Sequence, residues 1–374
     1  MQIYRSLDEV VEADTIAPDS IINADCLEAM KLIPDNSIDL ICTDPPYYKV
    51  KKEKWDRQWD KPKEFLSWLD SIAEQWQRIL KPNGSLYCFA SPRMAARVEV
   101  MLGDRFNIVN RITWQKPPFS TKAEMFVKED LRGFFPASES IIFCEHYGAD
   151  NIAKGEAGYG AKCDELRGFV FEPLQAWFRG QIKKANLNHK DINIAIGTCT
   201  SGGGMASHYF GDTNQYCLPT YPHYTKLQQS FPNYFTRPYE DLRLEYEDLR
   251  LEYEDLRRPF SVTAEVPYTD VWTYPTVGYY HGKHPCEKPI AMLEHIITAS
   301  SREGAIVLDS FGGSASTVLA CLNTNRRYIC IEKDPDYFEV MRDRIENHDP
   351  NALATPKKTR KPKAVTEGQL ALFG

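Results

Sequence analysis

The 374-residue sequence contains no run of 18 or more apolar residues, so no segment reads as a membrane-spanning helix. Its first residues, "MQIYRSLDEVVEAD", are acidic and lack the apolar stretch of a secretory signal, which sets the expectation of a cytoplasmic, nucleoid-associated protein. Ten cysteines are present, but no two have the C-x-x-C spacing of a zinc knuckle, and several fall within strand-like apolar runs. They read as reduced thiols used as small hydrophobes, and no metal site is expected. A basic excess is also missing, since 45 Lys and Arg against 52 Asp and Glu leave a formal charge of −7. That balance counts mildly against a nucleic-acid binder, although a local basic groove can sit on an acidic chain. Finally, neither G-x-G-x-x-G nor G-K-[ST] occurs, which argues against a dinucleotide site and a P-loop.

What is present is a 43% apolar share and 12% aromatics, ample for a packed core. "IDLIC" and "GSLYCF" are short apolar runs bounded by turn residues, as buried parallel strands are. Between them, "PKEFLSWLDSIAEQWQRILKPNG" carries apolar residues at helical spacing and is expected to stop at Pro82-Asn83-Gly84. "RITW" and "SIIFCEHY" predict further strands, and residues 305–342 repeat the strand–helix alternation. The fold class is therefore α/β. Residues 1–116 and 271–348 read as two halves of one sheet domain. Residues 117–270, rich in Gly, Tyr, Asn and Pro, read as a mostly helical insertion, except for a strand near 139–147 that belongs to the sheet. Residues 349–374 form a basic tail expected to be disordered.

Chemistry concentrates at two turns. In "VLDSFGGSAST" (307–317) a strand ends at Asp309, a small-residue turn follows, and a helix begins near Ser316, so backbone N–H groups can approach a ligand. Glu332 stands 23 residues later at the end of the next predicted strand, placed to accept hydrogen bonds from ribose hydroxyls. The turn has no basic residue for a phosphate, which leaves a phosphate-free nucleoside, S-adenosylmethionine, as the candidate cofactor. The other turn is "TDPPYYKV" (43–50), after the strand "IDLIC".

Asp44-Pro45-Pro46-Tyr47, together with Asp309-x-Phe311-x-Gly313-Ser314, resembles the DNA amino-methyltransferases that modify exocyclic amines of bases. The order, with the catalytic motif first, then the insertion, "HPCEKP" (284–289) and the cofactor turn, resembles their permuted β group. With "PYTDVWT" and "GKHPCEKP", the chain is also similar to prophage-encoded adenine-N6 methyltransferases of relaxed sequence preference. The resemblance implies a circularly permuted, Rossmann-like, S-adenosylmethionine-dependent methyltransferase sheet with an inserted target-recognition domain. It implies that the Asp44 carboxylate and Pro45 carbonyl accept the two N–H bonds of adenine N6, and that Pro46 stiffens the turn. Tyr47 would stack on the flipped base. It assigns Asp309, Phe311, Gly313 and Ser314 to the methionine end of the cofactor, Glu332 to its ribose, Asp25 and the Cys26 backbone to its adenine ring, and Lys288 to the motif closing over it. One departure is Ala315, where the family usually has glycine. Tyr48 either helps hold the flipped base or packs in the core. Cytosine-N4 transfer shares the geometry, and a catalytically idle DNA-binding protein is the reading from another class.

In the insertion, "HKDINIAIGTCTSGGGMASHYF" (189–210) reads as two short helices around a glycine loop. Two readings stay open: a DNA-facing pair presenting Ser207, His208 and Tyr209, or an ordinary helical hairpin. Lys183, Lys184 and Lys190 are candidate phosphate contacts. The repeat "YEDLRLEYEDLRLEYEDLRRP" (239–259) spaces Tyr239, Leu242, Tyr246, Leu249, Tyr253 and Leu256 as a heptad seam. It either pairs two chains as a homodimer or packs as one amphipathic helix on its own domain. The ending "QLALFG" resembles the short peptide by which bacterial proteins dock on the replicative sliding clamp, with Gln369, Leu370, Leu372 and Phe373 as contacts.

Overall fold

The computed structural model of the chain describes residues 1–13, 15–50, 53–117, 134, 136–146, 166–198, 204–211, 216–262, 269–280 and 283–349. The tail residues Gln369, Leu370, Leu372 and Phe373 lie outside the described residues.

The first half of the chain alternates as its apolar runs require. β1 (Gln2–Tyr4), α1 (Leu7–Glu12), β2 (Ser20–Asn23) and α2 (Cys26–Met30) lead to β3 (Ile38–Thr43). Then come α3 (Pro62–Ile79), β4 (Leu80–Ala90), α4 (Ala95–Gly103), β5 (Asn107–Gln115) and β6 (Ser138–Glu145). Among the described residues the insertion carries α5 (Glu172–Ala185), α6 (His189–Ile196), α7 (Ala206–Phe210), α8 (Tyr221–Ser230) and α9 (Tyr239–Leu256). β7 (Val271–Thr273), α10 (Ile290–Ser300), β8 (Ile306–Asp309), α11 (Ser316–Asn323), β9 (Arg327–Glu332) and α12 (Pro335–Glu346) complete the chain.

α3 shows how pattern becomes element. Phe65, Leu69, Ile72, Ala73, Trp76 and Ile79 recur at three- and four-residue steps and are all buried. Pro62 opens the helix, and the Glu64 carboxylate accepts the N–H groups of Asp60 and Lys61. The helix does not run to Pro82-Asn83-Gly84. It ends at Ile79, and Leu80 turns directly into β4, with the Lys81–Gly84 stretch as an irregularity in the pairing with β3. A Cβ at Gly84 would lie 2.6 Å from the Leu80 side chain, so glycine lets the chain fold back over that buried leucine.

Nine strands form one mixed sheet in the order β1-β2-β9-β8-β3-β4-β6-β5-β7. All neighbours are parallel except β4–β6 and β6–β5, so the strand at 138–145 is antiparallel within the sheet. From β3 the chain moves through α3 to β4 on one side, whereas β8 moves through α11 to β9 on the other. β3 and β8 are thus hydrogen-bonded neighbours whose connections diverge, and their C-terminal ends flank a crevice where open α/β sheets bind ligands.

Two apolar clusters cover the faces of this sheet. One contains Phe65, Leu69 and Trp76 of α3 with Val98 of α4. The other contains Met292, Leu293 and Ile296 of α10 with Val318 of α11 and Phe338 of α12. The insertion has a third core of its own, built around Leu174, Phe178, Ile192, Tyr209, Tyr224 and Leu242. There the heptad seam of α9 turns inward: Leu242 and Tyr253 are buried and Tyr239, Tyr246 and Leu249 pack against the cluster. Leu256, the last residue of the seam, is exposed, as are Leu244 and Leu251. Among the described residues no helix is long and apolar enough to cross a membrane.

Candidate active site

The crevice between β3 and β8 opens into a cavity of about 590 Å³, a volume in the range of small-molecule sites. Asp25, Cys26, Asp44, Pro45, Pro46, Tyr47, Lys288, Asp309, Phe311, Gly313, Ser314 and Glu332 all line it. Residues more than 260 positions apart in sequence meet because β3 pairs with β8 in register from Leu40 and Val307.

On the β8 side, Asp309 ends its strand with both carboxylate oxygens occupied. The Thr43 hydroxyl donates to Oδ1 at 3.0 Å, the Phe311 N–H to the same oxygen at 3.1 Å, and the Thr317 hydroxyl to Oδ2 at 2.6 Å. Burial still dominates, pushing the Asp309 carboxyl up to about 7 against the lowering effect of these donors. The turn then passes through two closely packed glycines. A Cβ at Gly312 would meet Cys330 Sγ at 2.6 Å, and Gly313 has φ +48° with His284 waiting 3.2 Å from its missing Cβ. Ala315, where glycine is usual in the related family, adopts φ +61° and is fully buried, a left-handed conformation costing roughly 1–2 kcal/mol for a residue with a Cβ.

At the end of β9, Glu332 Oε2 accepts the Gly313 N–H at 2.7 Å and Oε1 accepts the Asp334 N–H at 2.8 Å. Burial raises its carboxyl, with these two amides acting the other way. Each oxygen keeps a second lone-pair direction for a hydroxyl. Asp25 caps α2, accepting the Leu27 N–H at 3.0 Å, and pairs with Lys333 at 2.9 Å. Burial lifts the neighbouring Cys26 thiol to about 12, which does not suit it to act as a nucleophile.

On the β3 side, the turn Asp44–Tyr47 is held from behind. The fully buried Asp56 accepts the Tyr47 N–H at 2.8 Å through its carboxylate and the Lys49 N–H at 2.7 Å through its carbonyl. Tyr48 has φ +60°, donates its hydroxyl to the Asp60 carbonyl at 2.8 Å and packs on Phe65, so it belongs to the core rather than to the cavity. The ammonium of Lys288, in the motif assigned to the cofactor, donates to Asp44 Oδ2. The other oxygen, Asp44 Oδ1, is buried with no hydrogen-bond partner among the described residues.

Sequence reading missed the group that completes this corner. Glu139 Oε2 accepts the Tyr47 hydroxyl at 2.7 Å and lies 3.5 Å from Lys288 Nζ, while Oε1 accepts from Lys116 Nζ at 2.5 Å. Burial would raise Glu139, but Lys288 and Lys116 overcome it and hold the carboxyl at about 2. Burial likewise raises Asp44, with Lys288 opposing, and Lys288 is in turn held above its ordinary value by Asp44 and Glu139 despite burial. Nothing in the chain order of Lys116 and Glu139 signals this. Only the antiparallel pairing of β5 and β6 sets them beside Tyr47. Trp55 and His284 also line the cavity, their rings stacked with centroids 6.4 Å apart.

The insertion contradicts one proposed DNA contact. Tyr209 is 1% exposed, in the core with Phe210 and Phe178, and its hydroxyl meets His223 Nδ1 at 2.9 Å. In a five-residue helix, Ala206, Tyr209 and Phe210 form the inner face. Ser207 and His208 are half-buried, with the Ser207 hydroxyl donating to the Gly204 carbonyl at 3.1 Å, whereas Lys183, Lys184 and Lys190 are exposed.

Residues 38–343 match the family profile described as DNA methylase, that of the N6/N4 DNA methyltransferases. The chain is 24% identical over 352 residues to the DNA adenine methyltransferase YhdJ of Escherichia coli K12, covering 91% of this chain and 88% of that protein. It is 22% identical over 363 residues to the type II methyltransferase M.HindIII of Haemophilus influenzae, covering 87% and 95%. The fold matches the solved PvuII DNA methyltransferase (cytosine-N4-specific) with a TM-score of 0.51 at 15% identity, over 91% of each chain.

Proposed function

The chain belongs to the N6/N4 DNA methyltransferase family, and from that premise we propose that it methylates N6 of adenine in DNA, using S-adenosylmethionine. The observation that carries this reading is the convergence of Asp44-Pro45-Pro46-Tyr47 with Asp309, Gly313 and Glu332 on one cavity. Adenine relatives such as YhdJ favour N6 over cytosine N4.

The cavity suits the cofactor on its own chemistry. The Gly312–Gly313 turn lines the cavity, and Asp309 and Glu332 offer acceptors for a cationic amino acid end and a ribose. When bound, S-adenosylmethionine supplies an electrophilic sulfonium methyl. The protein's task is to make a poor nucleophile reactive, because the adenine N6 lone pair is delocalised into the ring. Asp44 Oδ1 is a buried acceptor without a partner, and Pro45 contributes a carbonyl on a backbone that has no competing N–H. Together they accept the two N–H bonds and favour a pyramidal nitrogen. Tyr47, fixed by Glu139 and Asp56, presents its ring to the base. A base within a duplex cannot reach so enclosed a corner, so the target is flipped, at a cost of a few kcal/mol. Relaxed sequence preference is part of this reading, with the exposed Lys183, Lys184 and Lys190 contacting phosphates rather than bases.

Incubation with methyl-labelled cofactor and unmethylated DNA, followed by nucleoside analysis, tests the reading. N6-methyladenine is expected. Label in N4-methylcytosine would transfer the same mechanism to the other base, and no label would refute it.

A further inference from the structure

A base that enters the cavity stays joined to its sugar and to the phosphates on either side. The surface beside the Asp44 turn therefore has to receive a polyanionic backbone. The chain that follows Tyr47 is suited to this. Residues 49–63 hold seven Lys and Arg against three Asp and Glu, in a chain whose overall balance is −7. One of the three acids, Asp56, is buried behind the turn, where its carboxylate accepts the Tyr47 N–H. Lys49, Lys54, Arg57, Lys61 and Lys63 are all exposed.

Topology gathers these cations at the edge of the sheet where the cavity lies. Lys54 itself lines the cavity, and the neighbouring Asp56 carbonyl accepts the Lys49 N–H at 2.7 Å, which ties this segment back to the Asp44 turn. α3 ends at Ile79 and passes directly into the start of β4, which is parallel to β3. Its first turn, with Lys61 and Lys63, therefore faces the opposite edge, the one that carries Asp44. The C-terminal end of β4 reaches the same edge. There the Ser91 hydroxyl donates to the Tyr47 carbonyl at 3.3 Å, and the exposed Arg93 follows two residues later. Among the described residues, none of Lys54, Lys61, Lys63 and Arg93 is paired with a carboxylate. Lys116 and Lys288, by contrast, are engaged inside the site with Glu139 and Asp44.

We propose that Lys54, Lys61 and Lys63, with Arg93 at the end of β4, form a basic rim that grips the DNA phosphates flanking the extruded nucleotide. Such contacts fix the backbone over the cavity and read no sequence. The rim is separate from the insertion lysines, and its role rests on the methyltransferase reading above.

The test is the salt dependence of duplex binding by the full-length chain, followed by fluorescence anisotropy. The variants are Lys54→Ala/Lys61→Ala/Lys63→Ala, the same three positions changed to Arg, Arg93→Ala, and Arg327→Ala as a control. Arg327 opens β9 at the far edge of the sheet, where it pairs with Asp19 at 3.0 Å. The triple alanine variant should bind at least about tenfold more weakly at about 0.1 M salt. The magnitude of its salt slope should fall by about 2 to 3, and that of Arg93→Ala by about 0.9, the contribution of one phosphate contact. The triple arginine variant keeps the charge and should keep the parental slope, as should Arg327→Ala. Parental slopes in both the triple alanine variant and Arg93→Ala, or an equal fall in Arg327→Ala, would overturn the rim and leave the methyltransferase reading standing. Binding is read without methyl transfer, so the expected slopes in a chain that transfers no methyl to DNA would overturn that reading and not the rim.

Discussion

Asp309 shows how the fold changes the chemistry of a site residue. As an isolated carboxylate it would be ionised throughout the neutral range, yet burial lifts it to about 7. Because the folded value lies above the unfolded one, Asp309 favours the folded state most at low pH, and that contribution is lost as pH rises through about 7. Cofactor binding has the opposite sign. A cationic methionine end prefers the carboxylate, so affinity should rise with pH up to about 7, by at most about tenfold per unit, and level off above it. Calorimetric titration between pH 5.5 and 8.5 checks this, and Asp309→Asn should remove the step.

Asp44, Asp309 and Glu332 were legible in the sequence because each sits at a strand end within a short local motif. Glu139 and Lys116 were not, since their meeting depends on β5 and β6 closing around an insertion. Of the two readings open for Tyr209, burial favours the ordinary helical hairpin: its spacing with Ala206 and Phe210 is an inward helical face.

At the scale of elements, the heptad repeat shows why a period alone does not name its partner. A seam of Tyr and Leu at steps of three and four predicts a buried stripe, and α9 has one, but it packs against its own domain. Leu242, with no exposure, should cost about 2–5 kcal/mol on Leu242→Ala through the cavity it leaves. Leu251→Ala, at 65% exposure, should stay within about 0.5 kcal/mol. Chemical denaturation distinguishes the two. A Leu251→Glu chain whose sedimentation differs from the parent would point back to pairing through this helix. The end of α3 shows the complementary limit: Pro82-Asn83-Gly84 was read as a helix stop, but the stop lies three residues earlier, at Ile79, because Leu80 is drawn into the sheet core beside Ile38.

At the scale of the whole molecule, a net charge of −7 has to be reconciled with a polyanionic substrate. Exposed lysines stand locally at the end of α5 and the start of α6. Replacing Lys183, Lys184 and Lys190 by Ala should weaken DNA binding across sequences and reduce the magnitude of the salt slope by up to about 3, since each phosphate contact contributes about 0.9. Fluorescence anisotropy over a salt series measures it, and an unchanged slope would remove these lysines from the interface. The clamp-docking reading of Gln369, Leu370, Leu372 and Phe373 makes a separate claim. Deleting 369–373 should abolish capture on a bacterial sliding clamp and leave methylation of free DNA unchanged, so retained capture would end that reading.

The central claim is that the Asp44 turn activates the acceptor while a separate part of the same cavity holds the methyl donor. The direct measurement pairs cofactor Kd with label incorporation for Asp44→Ala. The account predicts cofactor binding within about threefold of the parent and a fall in methyl transfer of at least about 10²-fold, the size seen when a transition-state hydrogen bond is lost. An Asp44→Ala chain that still methylates DNA at the parental rate would contradict it.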